Sequence, residues 1–287
     1  MASMKDIKRR KMSIQSTEQI TKAMKLVATV KLQKAKGRAE NSRPYFDAMY
    51  GTVSSMLAAS GTINHPFLKE GESSRKAIIT LTGNRGLAGG YNANVERLVT
   101  GSGFDKDDCV IYAVGTKGRD YLKKRGYSIA ADYSEAINAP MYADAMEIGK
   151  KVLEDFKAGE IGEIYLAYTS FKNTVVHEPR LLKLLPLKAE DILADAQEEE
   201  VSAPLTYEPE AEVALDHIIP KYINSLIYGA LMEAVASENG ARMTAMDNAT
   251  NNADEMISDL SLKYNRARQS SITQELTEII AGANALA

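Results

Sequence analysis

After Pro209 the chain holds one further proline, Pro220, and from Ala236 onward small and apolar side chains return at steps of four and three. The series is Ala236, Gly240, Met243, Met246, Thr250, Ala253, Ile257, Leu260, Tyr264, Ala267 and Ser271. Such near-heptad spacing lays these residues along one seam of a helix much longer than an ordinary globular helix. Many of them are small, so a partner helix can come close. Either a bundle core within the chain or an exposed coiled-coil shaft satisfies such a seam.

The other end reads alike. Ser3 caps, Asp6 sits in the first turn, and helix formers dominate to about Leu57. Ile7, Ile14, Met24 and Val27 mark an apolar stripe that Ala28 and Ala35 continue. Pro44 predicts a kink or break, because it removes an amide donor and crowds the preceding turn. Of the 19 glycines, only Gly37 and Gly51 precede residue 60 and only Gly229, Gly240 and Gly282 follow residue 216. The rest fall in the middle, which reads as a compact fold with turns.

That middle reads as α/β. Lys76–Thr82, Cys109–Val114, Tyr127–Ala131, Ile161–Phe171 and Thr174–Leu187 are strand candidates. Asn92–Thr100, Lys117–Lys124 and Met141–Lys157 are helix candidates, and Lys172 and Asn173 mark a hairpin turn. Strands alternating with helices predict a Rossmann-like sheet. The fold class is thus α/β: a long antiparallel coiled coil of the N- and C-terminal helices plus a central Rossmann-like α/β domain. Its expected parts are an N-terminal shaft helix (1–58), the α/β domain (75–188), an acidic linker (189–208) and a C-terminal shaft helix (209–287).

At about 1.5 Å per residue, helices of about 55 and 75 residues span roughly 80 and 110 Å. If they pair antiparallel from one domain, about 20 residues near 265–285 overhang without a partner in this chain. Ile272, Leu276, Ile279, Ile280 and Leu286 would then need an apolar sleeve from another protein. Residues 279–287 carry no charged side chain, which suits such a sleeve.

The formal net charge of −3 hides a segregation: residues 1–43 carry +9 and residues 186–216 carry −9. Such blocks imply partners or an internal pairing, and composition alone does not choose. A lone cysteine, Cys109, excludes an internal disulfide framework. No run of apolar residues is long enough for a membrane-spanning helix, and no apolar stretch follows the basic start as in a secretory signal. A reducing, cytosol-facing location is the expectation.

Catalytic chemistry finds no good candidate. Gly83-Asn84-Arg85-Gly86-Leu87-Ala88-Gly89-Gly90 stands between a strand and a helix, where a phosphate loop would stand. Its spacing fits neither the dinucleotide fingerprint nor a P-loop, so a tight turn is the better reading. His65, His177 and His217 lack metal-ligand spacing, and Pro179 spoils any helical His-Glu-x-x-His. Cys109 sits in an expected buried strand, where thiols are inert. The basic segment 1–43 has no aromatic residue to stack a base.

The segments Ile20-Thr21-Lys22-Ala23-Met24-Lys25-Leu26-Val27-Ala28, Arg85-Gly86-Leu87-Ala88-Gly89-Gly90-Tyr91-Asn92, Leu184-Leu185-Pro186-Leu187 and Tyr207-Glu208-Pro209, with the blocks 237–246 and 264–282, run in order along the whole chain. Together they resemble the gamma subunits of bacterial F-type ATP synthases. The resemblance implies a rotor shaft inside a hexamer of alpha and beta subunits, with its foot on the epsilon subunit and the membrane c ring. It implies no cofactor and no catalytic residue on this chain, no nucleic-acid partner, and a peripheral position on the cytoplasmic side of a bacterial plasma membrane. Arg268, Gln269, Thr273, Glu275 and Glu278 would contact beta-subunit loops, as would Met24, Lys25 and Arg242. Tyr207 and Glu208 would face the c ring or epsilon, and Ile279, Ile280 and Leu286 would form the bearing tip. Lys25 stands where many relatives carry Glu, and Asn84 and Ala88 where many carry Asp and Cys. The family's start motif close to Met1 leaves no room for a transit peptide. The rival reading is a nucleotide-binding or nucleic-acid-binding adaptor with a basic helical arm.

Overall fold

The computed structural model describes residues 4–59, 65–69, 71, 73–174, 176–187 and 211–286. In chain order the elements are α1 (Met4–Ala59), β1 (Lys76–Leu81), α2 (Tyr91–Thr100), β2 (Cys109–Val114), α3 (Thr116–Lys124), β3 (Ser128–Asp132), α4 (Tyr142–Lys157), β4 (Glu163–Phe171), β5 (His177–Leu185) and α5 (Ala211–Leu286). The architecture is the α/β one expected, two long terminal helices and a central Rossmann-like sheet. The chain divides into two compact units, residues 29–241 and residues 1–28 with 242–287.

In the unit 29–241 the strand order is β3-β2-β1-β4-β5. The first four strands are parallel, and β5 returns antiparallel along β4 as the expected hairpin. β1 and β2 are near-continuous apolar runs because helices cover both faces of the sheet. One face packs Ile78, Ile111 and Ala113 against Val95, Val99 and Leu122 of α2 and α3. The other packs Ile79, Leu81, Tyr112 and Ile164 against α4, the end of α1 (Val53, Met56) and the start of α5 (Ile219, Ile223, Ile227). β5 carries Pro179 in its interior, opposite Thr169. Proline is tolerated there because an edge strand has one hydrogen-bonded neighbour.

One polar cluster ties sheet to helix, and a second ties three strands to each other. The phenol of Tyr112 donates a 2.5 Å hydrogen bond to Asp155 on α4, and Lys151 reaches the other carboxylate oxygen at 2.7 Å. Burial and that carboxylate push the Tyr112 phenol far above its ordinary value, so it stays a neutral donor. At the start of β4, Glu163 lies between Lys76 (2.5 Å) and Lys183 (2.6 Å) across three strands. Desolvation pushes its carboxyl up, but the hydrogen bonds and charges of Lys183 and Lys76 outweigh it and hold the group at about 2. A depressed carboxyl contributes stability that is full above its unfolded value near 4.5 and lost as pH falls toward 2. Glu163→Gln is therefore expected to cost roughly 1–2 kcal/mol at pH 7 and to flatten the acid limb of the stability curve between those limits. Urea unfolding at pH 7 and pH 3 checks this; equal losses at both would refute it.

The expected break at Pro44 does not occur, and α1 runs through it unbroken. The proline is solvent-exposed, while Leu32 and Ala35 before it and Val53 and Met56 after it are buried. Burial on both sides outweighs the roughly 3 kcal/mol local cost.

In the unit of residues 1–28 and 242–287, α1 and α5 run antiparallel. The buried or half-buried positions of α1 in this unit are Ile7, Lys11, Ile14, Glu18, Thr21, Lys25 and Ala28, again at steps of four and three, with Met24 beside Lys25. On α5 they include Met246, Thr250, Ala253, Ile257, Leu260, Tyr264, Ala267 and Ser271, the seam read from the sequence. Val27 departs from the expected stripe and is 58% exposed. Its neighbour Ala28 takes the seam position, leaving Val27 turned out by one helical step.

Candidate functional surface

Two places were open for chemistry: the glycine turn after β1, and the surface of the long helices. At the turn, three amides at the start of α3 are already bonded. Thr116 N–H donates to Asn84 Oδ1 (2.8 Å), Lys117 N–H to the Gly83 carbonyl (3.2 Å) and Gly118 N–H to Thr82 Oγ1 (3.0 Å). The Gly83 amide, which a phosphate loop would aim at an anion, donates to Asn92 Oδ1 at 2.8 Å. Gly83 is glycine for a different reason: a Cβ there would lie 2.7 Å from Glu238 Oε1. The buried Glu238 carboxylate therefore fills the space beside the turn and would repel a phosphate. Asn84 also donates through Nδ2 to the Ser134 carbonyl (2.7 Å), a bond that an ionised aspartate cannot make.

Beside the turn, a cleft of about 330 Å³ is lined by Arg119, Asp132, Ser134, Glu135 and Glu147 among others. Arg119 is held by Asp132 at 2.6 Å and Asp120 at 2.8 Å. The cleft thus presents acidic groups around a cation that is already paired. Cys109 is buried, and desolvation pushes its thiol up to about 11, leaving it protonated and unreactive at neutral pH. Among the described residues no three His, Cys, Asp or Glu side chains are grouped to hold a metal ion. No helix among them is long and apolar enough to cross a membrane.

The helical unit is different. Ser271 is the last half-buried seam position of α5, and every described side chain from Ile272 to Asn284 is exposed. The uncovered stretch thus starts somewhat later than residue 265. Ile272, Leu276, Ile279 and Ile280 are 49–68% exposed. Arg268, Gln269, Thr273, Glu275 and Glu278 share this exposed surface. Glu275 accepts from Ser271 Oγ (3.3 Å) and Glu278 from Gln274 Nε2 (2.9 Å), one turn away in each case. Met24 and Arg242 are half-buried. Lys25 crosses to α5, where its Nζ lies 2.6 Å from Asp247 Oδ1. Beside it the Thr21 and Thr250 hydroxyls meet at 2.7 Å. Neither cross-helix bond is legible in the sequence; Thr250 stands out as a seam position, but its partner does not. Tyr207 and Glu208 lie outside the described residues, and so does the Leu286 side chain.

Comparison with known proteins is uniform. A family model described as ATP synthase matches residues 3–286. The chain is 69% identical over 290 residues to the ATP synthase gamma chain of Lachnoclostridium phytofermentans, covering 100% of both. It is 44% identical to the sodium-ion-specific ATP synthase gamma chain of Acetobacterium woodii, covering 99% of both. Among solved structures, a chain of the central stalk and c ring of Tetrahymena thermophila mitochondrial ATP synthase matches with TM-score 0.61 and 25% identity, over 80% of this chain and 99% of that one. A chain of the Euglena gracilis mitochondrial ATP synthase shares the fold, with TM-score 0.69 and 19% identity over 99% and 94%.

Proposed function

Because the chain belongs to the gamma-chain family of the ATP synthases, whose member is the rotor shaft of an enzyme complex, we propose the contacts through which it works. The shaft stands in a hexamer of alternating alpha and beta subunits, and the catalytic sites belong to beta. Ion flow turns the c ring, the foot of the shaft turns with it, and the epsilon subunit sits at that foot. An asymmetric shaft offers each beta subunit a different set of contacts in turn. It thereby supplies the differential interaction energy that otherwise equivalent sites lack. No cofactor is needed on this chain. The complex is membrane-associated, and this subunit lies on the cytoplasmic face of a bacterial plasma membrane.

The uncovered apolar stretch beyond Ser271 is the observation that carries this reading. Ile279 and Ile280, with Leu286, run in the apolar bearing of the hexamer. Arg268, Gln269, Thr273, Glu275 and Glu278 meet beta-subunit loops just below it. Met24, Lys25 and Arg242 lie where acidic beta loops press on the shaft, and the Lys25–Asp247 pair leaves Lys25 to share its charge between both partners. Tyr207 and Glu208 face the c ring or epsilon.

Reconstitution with alpha and beta subunits tests the assignment. The expected result is a complex that hydrolyses ATP only when this chain is included. Failure to form any complex would overturn it. The nucleotide-binding rival predicts saturable ATP binding by the isolated chain, which the filled space beside Gly83 argues against.

A further inference from the structure

We propose that Thr21 and Thr250, together with Lys25 and Asp247, are positioning residues that pin the two shaft helices to one another, so that twist applied to either is carried by both. The proposal rests on the rotor reading.

Packing alone is thin here. Among the described residues of this unit the buried side chains are Thr21, Ala28, Met246, Thr250 and Ala253, and of these only Met246 is large and apolar. The larger seam side chains, Ile7, Ile14, Met24, Ile257, Leu260 and Tyr264, are only half-buried, and around Thr21 and Thr250 the small Ala28 and Ala253 give shallow knobs and few dispersion contacts, so packing resists sliding and turning weakly there. Directional bonds take over that task. The two threonine oxygens lie 2.7 Å apart, and each also lies near a carbonyl of its own helix: Glu18 at 2.9 Å from Thr21, Met246 at 2.8 Å from Thr250. Two hydroxyls own two hydrogens. One spans the gap and the other returns to a carbonyl, and either assignment leaves both oxygens bonded.

One turn along, the Lys25–Asp247 pair crosses the same gap at 2.6 Å. From Thr21 to Lys25 the chain advances four residues, while from Thr250 to Asp247 it retreats three, as antiparallel helices require. A single cross-bond acts as a pivot, about which the helices can still turn. Two bonds one turn apart form a couple that resists both rotation and shear. The buried threonine pair supplies direction at modest energy, as a polar pair in an apolar seam commonly does, and the Lys25–Asp247 pair, with both side chains nearly half exposed, adds a weaker tie beside it.

The test uses the complete ATP synthase in vesicles and reads the membrane potential generated per ATP hydrolysed. The variant T21V/T250V keeps the shape of both side chains and removes both hydroxyls together, leaving no buried group unpaired. It is expected to assemble and to hydrolyse ATP normally without load, while the potential generated per ATP falls clearly below the wild-type ratio. T21S/T250S, which retains both hydroxyls, should restore the wild-type ratio. An unchanged ratio in the valine variant overturns the proposal. So does failure of that variant to assemble, which would make the pair a folding requirement, or failure of the serine variant to restore the ratio. If the wild-type chain itself does not assemble, the rotor reading falls and takes the proposal with it.

Discussion

With the tip seated in the proposed bearing, a chain ending at Ser271 should fold as the full chain does and bind the alpha and beta subunits about a hundredfold more weakly. No described side chain beyond Ser271 is buried within the chain, so removing the stretch breaks no described packing. What disappears is surface for a partner. Burying a large aliphatic side chain completely gives about 1.5–3 kcal/mol, and the four described here are roughly half exposed at the outset. About 1 kcal/mol each, less the cost of ordering them, leaves about 3 kcal/mol, or about a hundredfold in affinity. Titration of the full and shortened chains into alpha–beta mixtures measures it. Equal affinity would mean that the tip is not held in an apolar bearing.

Asp155→Ala should cost the unit 29–241 about 3 kcal/mol, because it strands the Tyr112 phenol without an acceptor under a closed core. Lys151 is half exposed and regains water, so it adds little. For a domain of this size the melting temperature falls by about 6–12 °C. Tyr112→Phe alone should cost about 1–2 kcal/mol, since Asp155 keeps Lys151. The pair Y112F/D155L, which removes donor and acceptor together, should recover most of the loss. Thermal unfolding of the three variants decides; a double variant no better than D155A would show that the bond matters less than packing at Asp155.

The two polar couplings of the sheet unit illustrate what a sequence conceals. Tyr112 and Asp155 are far apart in the chain, and so are Glu163 and Lys76; nothing local brings either pair together. The elements around them were legible because they obey short-range rules. Apolar runs bounded by turns mark β1 and β2, glycines end the helices, and steps of four and three mark the seams of α1 and α5. The boundaries slipped where the signal was weakest, at β3 and at the hairpin, where β5 begins at His177 and not at Thr174. Pro44 misled because local propensity speaks of an isolated helix, whereas here burial on both sides decides. At the tip, Ile272, Leu276, Ile279 and Ile280 could be read as uncovered from length alone. The link between Lys25 and Asp247 needed the register of the two helices, which each helix's own spacing does not contain.

Pro179 has a consequence for what the sheet can join. Among the described residues no strand neighbours the outer side of β5, and an open row of amides and carbonyls invites another chain to add itself. Proline breaks the row of donors there, and charged Glu178 and Arg180 flank it on either side. A visiting strand would lose a hydrogen bond and meet ionic side chains where it needed a flat surface. The free subunit can therefore wait for its neighbours without zipping onto another copy of itself, and after assembly no stationary chain can be stitched to the turning part along that strand.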